Sequence, residues 1–393
     1  MIIFWQIVFW LSIFLILHSY VFFPTILSIL AKNKKENIHK YSKDDDLPSV
    51  SIIMAVYNEQ DVIEQKIRSV FNTNYPQNKI EFIIGSDNST DDTNNIIKKL
   101  QQEYLNLQLV DFKERNGKIK IINLISEQCK NQIIISTDAK VFFLSDTIFH
   151  LIEHFKNPEI SIVGGILFNE QKSSNGISNQ EDLFMSREMI IKYNEGLVWQ
   201  KVIGVYGALY AIRPEFLVKV PENLLVDDFY ITLKVIENKG KVIFNKQAKA
   251  SENLPVELSE EFKRKVRIAT GNFQNLRIFS KILLKPFSSI GFSFISHKVI
   301  RWTAPFIFMI ALIANLFLFK IILYKVMLFI TIGVVIVPII DFFFKIFKIN
   351  IGFLRLITHF ISMNFALVFG FFRALKGVRN STWSPSKRNQ TVN

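Results

Sequence analysis

The chain has 393 residues, of which 49% are hydrophobic and 21% are charged, and Phe alone occurs 38 times. This composition excludes a single soluble domain, which would be less apolar, and a pure channel, which would carry less charge. We therefore expect a membrane-embedded part and a polar part. The single cysteine, Cys129, excludes an intrachain disulfide and fits a polar part in the cytosol.

Residues 1–31 form an almost uninterrupted apolar stretch. About 20 apolar residues are enough for a helix to cross the hydrocarbon core of a bilayer. The stretch lacks a basic leader and a small-residue cleavage site, which favours a retained transmembrane anchor over a removed signal peptide. The polar, lysine-containing linker at residues 32–47 is expected in the cytoplasm by the positive-inside rule.

Between residues 48 and 256, short β-branched runs alternate with longer helical patterns. This alternation predicts an α/β fold with a mixed, mainly parallel sheet that is covered by helices on both faces. Such sheets bind ligands where loops leave the carboxyl ends of the strands. Six runs are typical of strands, namely VSIIMAV, IEFIIGS, LQLVDF, QIIISTD, ISIVGGI and KVIFN.

The carboxyl-terminal third is basic and apolar. Residues 262–393 hold 19 Lys and Arg but a single acid, Asp341, which indicates attraction to anionic membrane lipids rather than to nucleic acid. Residues 257–301 are expected as amphipathic and interfacial helices, residues 302–375 as transmembrane helices, and residues 376–393 as a basic tail. Three apolar spans lie near residues 303–319, 326–344 and 353–372. Three crossings would leave the tail outside, against the positive-inside rule, so one span is expected to be re-entrant or interfacial.

Polar loops, VYNEQD and SDNSTDDT, follow the first two predicted strands. Their Ser, Asn and Asp residues fit helix capping, which is the simpler interpretation of either loop alone. Two such loops at one edge of a sheet favour a nucleotide site. There Asp87 can accept a hydrogen bond from a base, and Glu59 can accept one from a ribose hydroxyl.

Two further residues are candidates for donor binding. Lys118 follows Gly117 at a predicted helix start, where an ammonium group and free amides can bind phosphate, although a solvated surface lysine is the alternative. Asp138 follows the fourth strand run, and a carboxylate leaving an apolar run needs a partner. It is a candidate for a ribose contact or for Mg or Mn, which prefer oxygen ligands.

Two pairs of charged residues complete the candidate set. Asp227 and Asp228 start a predicted helix; they can be capping acids, or their mutual repulsion can raise one pKa towards that of a general base. Arg264 and Arg267 share one helical face. Both suit a pyrophosphate group, and lipid headgroups are an equally good partner.

Taken in order, these motifs resemble those of the family 2 glycosyltransferases, and within them the membrane-integrated cellulose, hyaluronan and poly-N-acetylglucosamine synthases. The resemblance runs from about residue 50 to the carboxyl terminus. It implies a GT-A nucleotide-sugar-binding domain with transmembrane helices at both ends. VYNE and SDNSTDDT resemble the uridine-binding loops, which implies nucleoside contacts for Tyr57, Glu59 and Asp87. GKIKIIN is similar to a G-K-x-x-x-[LI]-N segment, which implies a donor contact for Lys118.

The remaining motifs carry the family's catalytic roles. TDAK stands where the family has D-x-D, and VDDF stands where it has an acid followed by the catalytic Asp. The resemblance thus implies that Asp228 is the base and Asp227 its acidic support. RKVRI is similar to the Q/R-x-x-R-W motif, with Arg264 and Arg267 matching.

Two positions depart from the pattern. Lys140 replaces the second Asp of D-x-D, which leaves fewer carboxylates for Mg or Mn and leaves the need for a cation open. Ile268 replaces the Trp, which argues against processive synthesis of a long chain because Ile cannot stack on a sugar or base. The terminal STWSPSKR resembles a Trp-x-x-x-x-Arg tail that lies near the cytoplasmic active site in relatives, which favours an inside tail.

The resemblance implies an inverting glycosyltransferase that moves a sugar from a nucleotide donor, expected to be a UDP-sugar, to a glycan or lipid-linked acceptor. The reaction would occur at the cytoplasmic face of the inner cell membrane, in envelope or exopolysaccharide synthesis. A polyprenyl-phosphate sugar transferase fits the same motifs. A non-catalytic membrane protein that senses nucleotides is an alternative of another class.

Overall fold

A computed structural model describes residues 1–36, 38–168, 177–252, 258–347, 349 and 351–378, and it describes side chains outside 177–185 and 258–260. The expected domain boundary at residue 256 and the STWSPSKR tail lie outside these residues. The structure divides into two compact units. The helical unit holds the described residues of 1–29, 177–186 and 258–377, and the sheet unit holds those of 30–168 and 187–252.

The described part of the chain contains thirteen α-helices and eight strands. In chain order the helices are α1 Ile2–Leu17, α2 Phe23–Ala31, α3 Ile63–Phe71, α4 Thr93–Leu100, α5 Lys118–Ser126, α6 Thr147–Ile152, α7 Ile177–Trp199, α8 Asp227–Glu237, α9 Leu258–Ile278, α10 Ser289–Ser293, α11 Ile300–Phe317, α12 Ile322–Ile346 and α13 Gly352–Lys376. The strands are β1 Val50–Val56, β2 Ile80–Asp87, β3 Leu107–Phe112, β4 Ile133–Thr137, β5 Val141–Phe143, β6 Ile160–Phe168, β7 Leu209–Ile212 and β8 Lys241–Glu252.

All eight described strands join one sheet in the order β3-β2-β1-β4-β7-β6-β8-β5. The pairs β2–β3, β1–β2, β1–β4 and β6–β8 are parallel, whereas β7 is antiparallel to both of its neighbours and β5 is antiparallel to β8. Every residue of β1 is buried, as expected for a strand covered on both faces. The predicted α/β fold with a mixed, mainly parallel sheet is confirmed.

Each of the six predicted strand runs forms a strand, but β8 continues well beyond KVIFN to Glu252. Two strands were not predicted, namely β5 with three residues and β7 with four. Both are too short to show a periodic pattern. β7 is nevertheless important, because it inserts between β4 and β6 and makes the sheet mixed.

The parallel pairing brings three strand ends to one edge of the sheet. Val56 of β1 is in register with Ser86 of β2, and Ile53 of β1 is in register with Ser136 of β4. The loops that follow β1, β2 and β4 therefore leave the sheet side by side. These loops carry most of the predicted donor-binding residues.

Four helical stretches of the described chain are long and apolar enough to cross a membrane. They are Ile2–Ala31, Ser289–Phe317, Ile322–Ile346 and Gly352–Lys376. Transmembrane helices at both ends of the chain, as predicted, match this arrangement. α1 continues into α2, and α10 into α11, through π-helical turns at His18–Phe22 and Phe294–Val299.

The predicted boundary near residue 301 falls within a continuous helical stretch, because residues 289–301 continue without a break into residues 302–317. The division into an interfacial and a transmembrane part stays a prediction. Polar residues of this stretch have partners inside the helical unit. His18 Nε2 and Ser296 Oγ are 2.8 Å apart, and Ser19 Oγ donates to the Ser296 carbonyl oxygen at 2.6 Å. Such hydrogen bonds let serine and histidine lie within a bundle of apolar helices.

Close packing of α9 on α13 gives the helical unit a testable contact. A Cβ atom built on Gly370 would lie 2.4 Å from the Cβ atom of Ala269 and 2.9 Å from backbone atoms of Ala269 and Thr270. Gly333 in α12 offers a matched comparison, because a Cβ atom there would meet nothing within 4 Å.

We expect Gly370→Ala to destabilise the protein by about 1–3 kcal/mol, because backbone atoms must move apart to admit the methyl group. Gly333→Ala should leave stability unchanged or raise it, because alanine favours the helix by roughly 1 kcal/mol. Thermal unfolding of the detergent-solubilised variants measures both effects. Equal unfolding midpoints for the two variants would show that α9 and α13 do not pack in this way.

Candidate active site at the carboxyl edge of the sheet

The loops after β1 and β2 are fastened to each other. The backbone N–H of Asn58 donates to Ser89 Oγ at 3.2 Å, and the Asn58 Oδ1 atom accepts from the Thr90 N–H at 2.8 Å. The backbone N–H of Glu59 donates to Thr93 Oγ1 at 2.9 Å. The two polar motifs therefore form one connected surface, rather than two unrelated helix caps.

Asp87 is buried at the end of β2, and its carboxylate binds the segment that leads into α5. It accepts from Arg115 Nε at 3.1 Å, from the Asn116 N–H at 2.6 Å and from the Gly117 N–H at 3.1 Å. Charge-assisted hydrogen bonds of this kind are among the stronger ones in proteins. Asp87 thus fixes the position of the loop before Lys118, and its expected contact with a base stays a prediction.

Tyr57 belongs to the same arrangement. The guanidinium carbon of Arg115 lies 3.3 Å from the centre of the Tyr57 ring, a cation–π contact. Arg115 therefore joins the loop after β1 to Asp87 at the end of β2. The RNGK run contains this arginine, but nothing in the sequence indicated that it would stack on Tyr57.

Gly117 turns the chain into α5 with a φ of +85°, a conformation that residues with a side chain rarely adopt. The turn brings Lys118 to the site. Lys118 Nζ lies 2.6 Å from Asp138 Oδ1, so the predicted phosphate ligand and the first acid of TDAK form an ion pair. Neither side chain is sealed from solvent, because Lys118 is 27% and Asp138 42% exposed.

Asp227 and Asp228 occupy the first turn of α8. Asp228 Oδ2 accepts from the Gly207 N–H at 2.8 Å, and Asp228 Oδ1 accepts from the Phe229 N–H at 2.8 Å. A carboxylate oxygen has two lone pairs, so each oxygen can still accept a further hydrogen bond. Asp228 is therefore oriented by the backbone and retains the capacity to take a proton.

Electrostatic coupling shows that these groups converge. Burial alone would lower the pKa of Lys118, but Asp138, Asp227 and Asp228 outweigh it and raise that pKa above its usual value. Burial and the neighbouring Asp227 raise the pKa of Asp228 to about 6. Lys118 thus forms an ion pair with Asp138 and also interacts electrostatically with Asp227 and Asp228, which lie in a separate part of the sequence.

Lys192 is a buried residue of the site that no motif predicted. Its Nζ atom donates to the Gly204 carbonyl oxygen and lies 3.9 Å from the centre of the Tyr206 ring. One turn later in α7, the carboxylate of Glu195 accepts from the Ile203 N–H at 2.9 Å. α7 therefore holds the loop that presents Gly207 to Asp228, and Lys192 also favours the charged form of Asp228.

Two other buried residues lie close to the acids and also escaped prediction. Lys66 of α3 donates to Thr137 Oγ1 at 2.9 Å and to the Val141 carbonyl oxygen at 2.5 Å. Burial lowers its pKa, an effect that Asp138 opposes. Burial and then Asp227 raise the pKa of Tyr210 in β7. An isolated lysine in a helix and a tyrosine in a four-residue strand carry no recognisable signal.

Lys140, which replaces the second acid of D-x-D, turns to the loop after β1. Its Nζ atom lies 3.3 Å from the Glu59 carboxylate. Glu59, the expected ribose ligand, is thus paired with an ammonium group. The sequence identified Lys140 as a departure but did not indicate this partner.

Arg264 and Arg267 lie on α9, in the helical unit. Arg264 forms two hydrogen bonds to Glu261 on the same helix, at 2.8 and 3.0 Å. Their expected contact with the diphosphate stays a prediction.

The side chains that could act as metal ligands in this site do not favour a divalent cation. Mg and Mn need several oxygen ligands at about 2–2.5 Å. Asp138 is already bound by Lys118, and position 140 supplies an ammonium group. Among the residues that the structure describes, no three His, Cys, Asp or Glu side chains are placed to hold a metal ion.

Comparison with known proteins identifies the class of this domain. Residues 51–218 match the family described as Glycosyl transferase family 2. These residues therefore form a family 2 glycosyltransferase domain, as the motifs predicted. Asp227 and Asp228 lie just beyond the matched range.

Two curated relatives are similar to the chain. One is a probable glycosyltransferase of Bacillus subtilis, YdaM, which is 24% identical over 249 residues, covering 61% of this chain and 59% of the relative. Another is the poly-β-1,6-N-acetyl-D-glucosamine synthase of Staphylococcus aureus, 26% identical over 270 residues, covering 68% of this chain and 64% of the relative. The match thus spans less than two thirds of the length of either relative.

Among solved structures, the fold is similar to the mannosyltransferase of Pyrobaculum calidifontis in complex with GDP-Man and Mn2+. The TM-score is 0.70 at 18% identity, and the match covers 94% of this chain and 99% of that one. At this identity the likeness concerns the fold. It supports the predicted GT-A fold.

The bonds to Asp87 can be tested by Asp87→Asn, which places an amide group among three hydrogen-bond donors. We expect a loss of roughly 2 kcal/mol or more, because buried donors lose a charged acceptor. Thermal unfolding measures the loss. Asp111→Asn is the matched control, because Asp111 is 29% exposed, pairs with an exposed lysine and accepts one further hydrogen bond, from Asn94; we expect a loss of at most about 0.5 kcal/mol there. A stable Asp87→Asn variant would contradict this role of Asp87.

Proposed function

We propose that the protein is an inverting glycosyltransferase that moves a sugar from a nucleotide donor to an acceptor at the cytoplasmic face of the inner membrane. The observation that carries this proposal is the convergence of Asp138, Asp227 and Asp228 on Lys118. A sugar transfer needs both a carboxylate to take a proton and cations to receive a diphosphate. The site supplies both within one cluster.

Asp228 acts as the general base in this scheme. The acceptor hydroxyl oxygen forms a bond to the anomeric carbon and loses its proton to Asp228. The bond from that carbon to the diphosphate oxygen breaks, and the electron pair leaves with the nucleoside diphosphate. Lys118 lies next to the leaving group, and Arg264 and Arg267 are further candidates. Fixed charges that meet the developing negative charge usually contribute the largest part of such catalysis.

A uridine donor is the first expectation. The loops that carry Tyr57, Glu59 and Asp87 are similar to uridine-binding loops of the family, and they are joined to each other here. The relative from Staphylococcus aureus polymerises N-acetyl-D-glucosamine, which makes UDP-N-acetylglucosamine a suitable first donor to test. The identity of the transferred sugar is part of the proposal.

The acceptor is proposed to be a growing glycan or a lipid-linked molecule, in envelope or exopolysaccharide synthesis. Four helices that can cross a membrane support an acceptor or product in the bilayer. A polyprenyl-phosphate sugar transferase is the second candidate, because Ile268 cannot stack on sugar rings during processive elongation. Label recovered only in the lipid extract would favour the second candidate, whereas label in a polymer would favour the first.

An inside location of the carboxyl tail is part of the proposal. The last turns of α13 pack on α9, where Gly370 meets Ala269 and the rings of Phe371 and Phe273 lie 5.2 Å apart. α9 is a polar, basic helix, suited to a membrane surface rather than to its apolar core. A basic tail that leaves α13 at such a surface satisfies the positive-inside rule. This location requires that one of the three apolar stretches after residue 288 does not cross the membrane completely.

The experiment that tests this function uses the full chain in detergent with a panel of UDP- and GDP-sugars and measures released nucleoside diphosphate. We expect Asp228→Asn to lower turnover about 10²- to 10⁴-fold and to leave UDP binding largely intact. Asp227→Asn, which changes the neighbouring acid, should lose much less turnover. Full turnover by Asp228→Asn would remove the assigned base, and binding without turnover for every donor would favour a nucleotide sensor.

Lowering the pH should inhibit the reaction by protonating Asp228. Asp228 must be deprotonated to accept a proton, and its pKa is raised to about 6. Turnover should therefore fall as the pH decreases through that value. Lys192→Met removes a cation that favours the carboxylate of Asp228, so the fall in turnover at low pH should begin at a higher pH. Lys192→Arg keeps the cation and should return this fall to its original pH. Lys234→Met on the solvent side of α8 is the control. If Lys192→Met left the pH of this fall unchanged, the contribution of Lys192 would be contradicted.

A further inference from the structure

Lys140 occupies a position in the site that a second carboxylate would otherwise fill. Its side chain is 16% exposed and lies 3.3 Å from Glu59, which is itself only 7% exposed. An ion pair that is shielded from water interacts more strongly than one on the open surface. Lys140 is therefore held in the loop region between the ends of β1 and β4.

Lys118 approaches the same segment from α5, where its Nζ atom lies 2.6 Å from Asp138. Asp138 and Lys140 are two residues apart, so two ammonium groups come to one short segment. Each of them is paired with a carboxylate that sequence reasoning assigned to donor binding. Both of these carboxylates are therefore already paired with side-chain cations.

A divalent cation in this place would have to displace both lysines. Each ammonium group already neutralises one of the available carboxylates, and a cation brought close to them would be repelled. A diphosphate has the opposite requirement. It carries negative charge and accepts hydrogen bonds, and each ammonium group has three N–H donors to divide between its carboxylate and the diphosphate.

We propose that the site binds the diphosphate of the donor without a divalent cation, and that Lys118 and Lys140 supply the positive charge. The proposal rests on the function proposed above and goes further by replacing the expected Mg or Mn with two side chains. Glu59 and Asp138 hold the two ammonium groups in place before the donor arrives. On binding, the ammonium groups donate hydrogen bonds to phosphate oxygens, and no covalent bond to either lysine forms or breaks.

The same arrangement serves the transfer step. When the bond between the sugar and the diphosphate breaks, negative charge grows on the leaving oxygen. The ammonium groups stabilise this charge while they keep their protons, so the only proton that moves is the one from the acceptor to Asp228. A fixed positive charge of this kind does not need to be recruited from solution.

The test is a titration of the full chain in detergent with UDP and, separately, with GDP, in excess EDTA and again in excess Mn2+. We expect whichever of UDP and GDP binds to show the same affinity in EDTA and in Mn2+, within about twofold. Lys140→Met should weaken nucleotide binding roughly tenfold or more in both media, because the bound diphosphate loses a charged hydrogen bond. Lys140→Arg should recover much of the affinity.

Lys140→Asp recreates the D-x-D pattern and reverses the expected dependence. We expect this variant to bind the nucleotide more tightly in Mn2+ than in EDTA. Because a new carboxylate next to Glu59 can destabilise the loop, the double variant Glu59→Gln with Lys140→Asp accompanies it, and thermal unfolding checks that both fold. Lys113→Asp, at a lysine that is 85% exposed, is the control and should behave like the unchanged protein.

The outcomes separate this inference from the function on which it rests. Nucleotide binding by the unchanged protein that requires Mn2+ would overturn the inference and leave the glycosyltransferase proposal standing. Full affinity in Lys140→Met would also overturn it. Binding of neither UDP nor GDP in any medium would remove the proposed function together with the inference.

Discussion

The ammonium group of Lys118 forms an ion pair with Asp138 at 2.6 Å and interacts electrostatically with Asp227 and Asp228, and the rest of the site depends on this cluster. Three carboxylates in one place repel one another and favour protonation. A lysine in the middle lowers that cost and lets the acids share a small volume. The cluster thereby allows one acid, Asp228, to carry a raised pKa.

The surrounding fold can be understood as the means of bringing Lys118 to that position. Asp87 binds three consecutive residues of the preceding loop, and Gly117 supplies the turn that starts α5. On the other side, α7 fixes the loop of Gly207, which orients Asp228. Asp87 and Asp228 are therefore held by backbone N–H groups, one at a strand end and the other at a helix start.

Much of this arrangement was predictable because it depends on local signals. Strand runs such as VSIIMAV were long and β-branched, and the polar loops came where parallel strands end, so the edge of the sheet and the residues on it followed from the sequence. The motif order supplied the rest, including the position of Asp228. The four apolar stretches were visible in the same way, although the sequence did not show that residues 289–301 join the helix that follows.

What escaped prediction depends on partners that are distant in sequence. Lys66, Lys192 and Arg115 are ordinary charged residues until the fold brings them to Thr137, Gly204 and Tyr57. β7 is too short to be periodic, yet it carries Tyr210 next to the acids. The pairing of Lys140 with Glu59 joins residues about 80 positions apart, and only the parallel neighbours β1 and β4 bring their loops together.

The most direct test of the central claim is an experimental structure of the full chain with UDP bound. The account predicts that the diphosphate lies within hydrogen-bond distance of Lys118 Nζ, on the side of the cluster where the carboxylates of Asp138 and Asp228 face the same cavity. A diphosphate bound elsewhere, with Asp87, Asp138 and Asp228 facing separate cavities, would contradict it.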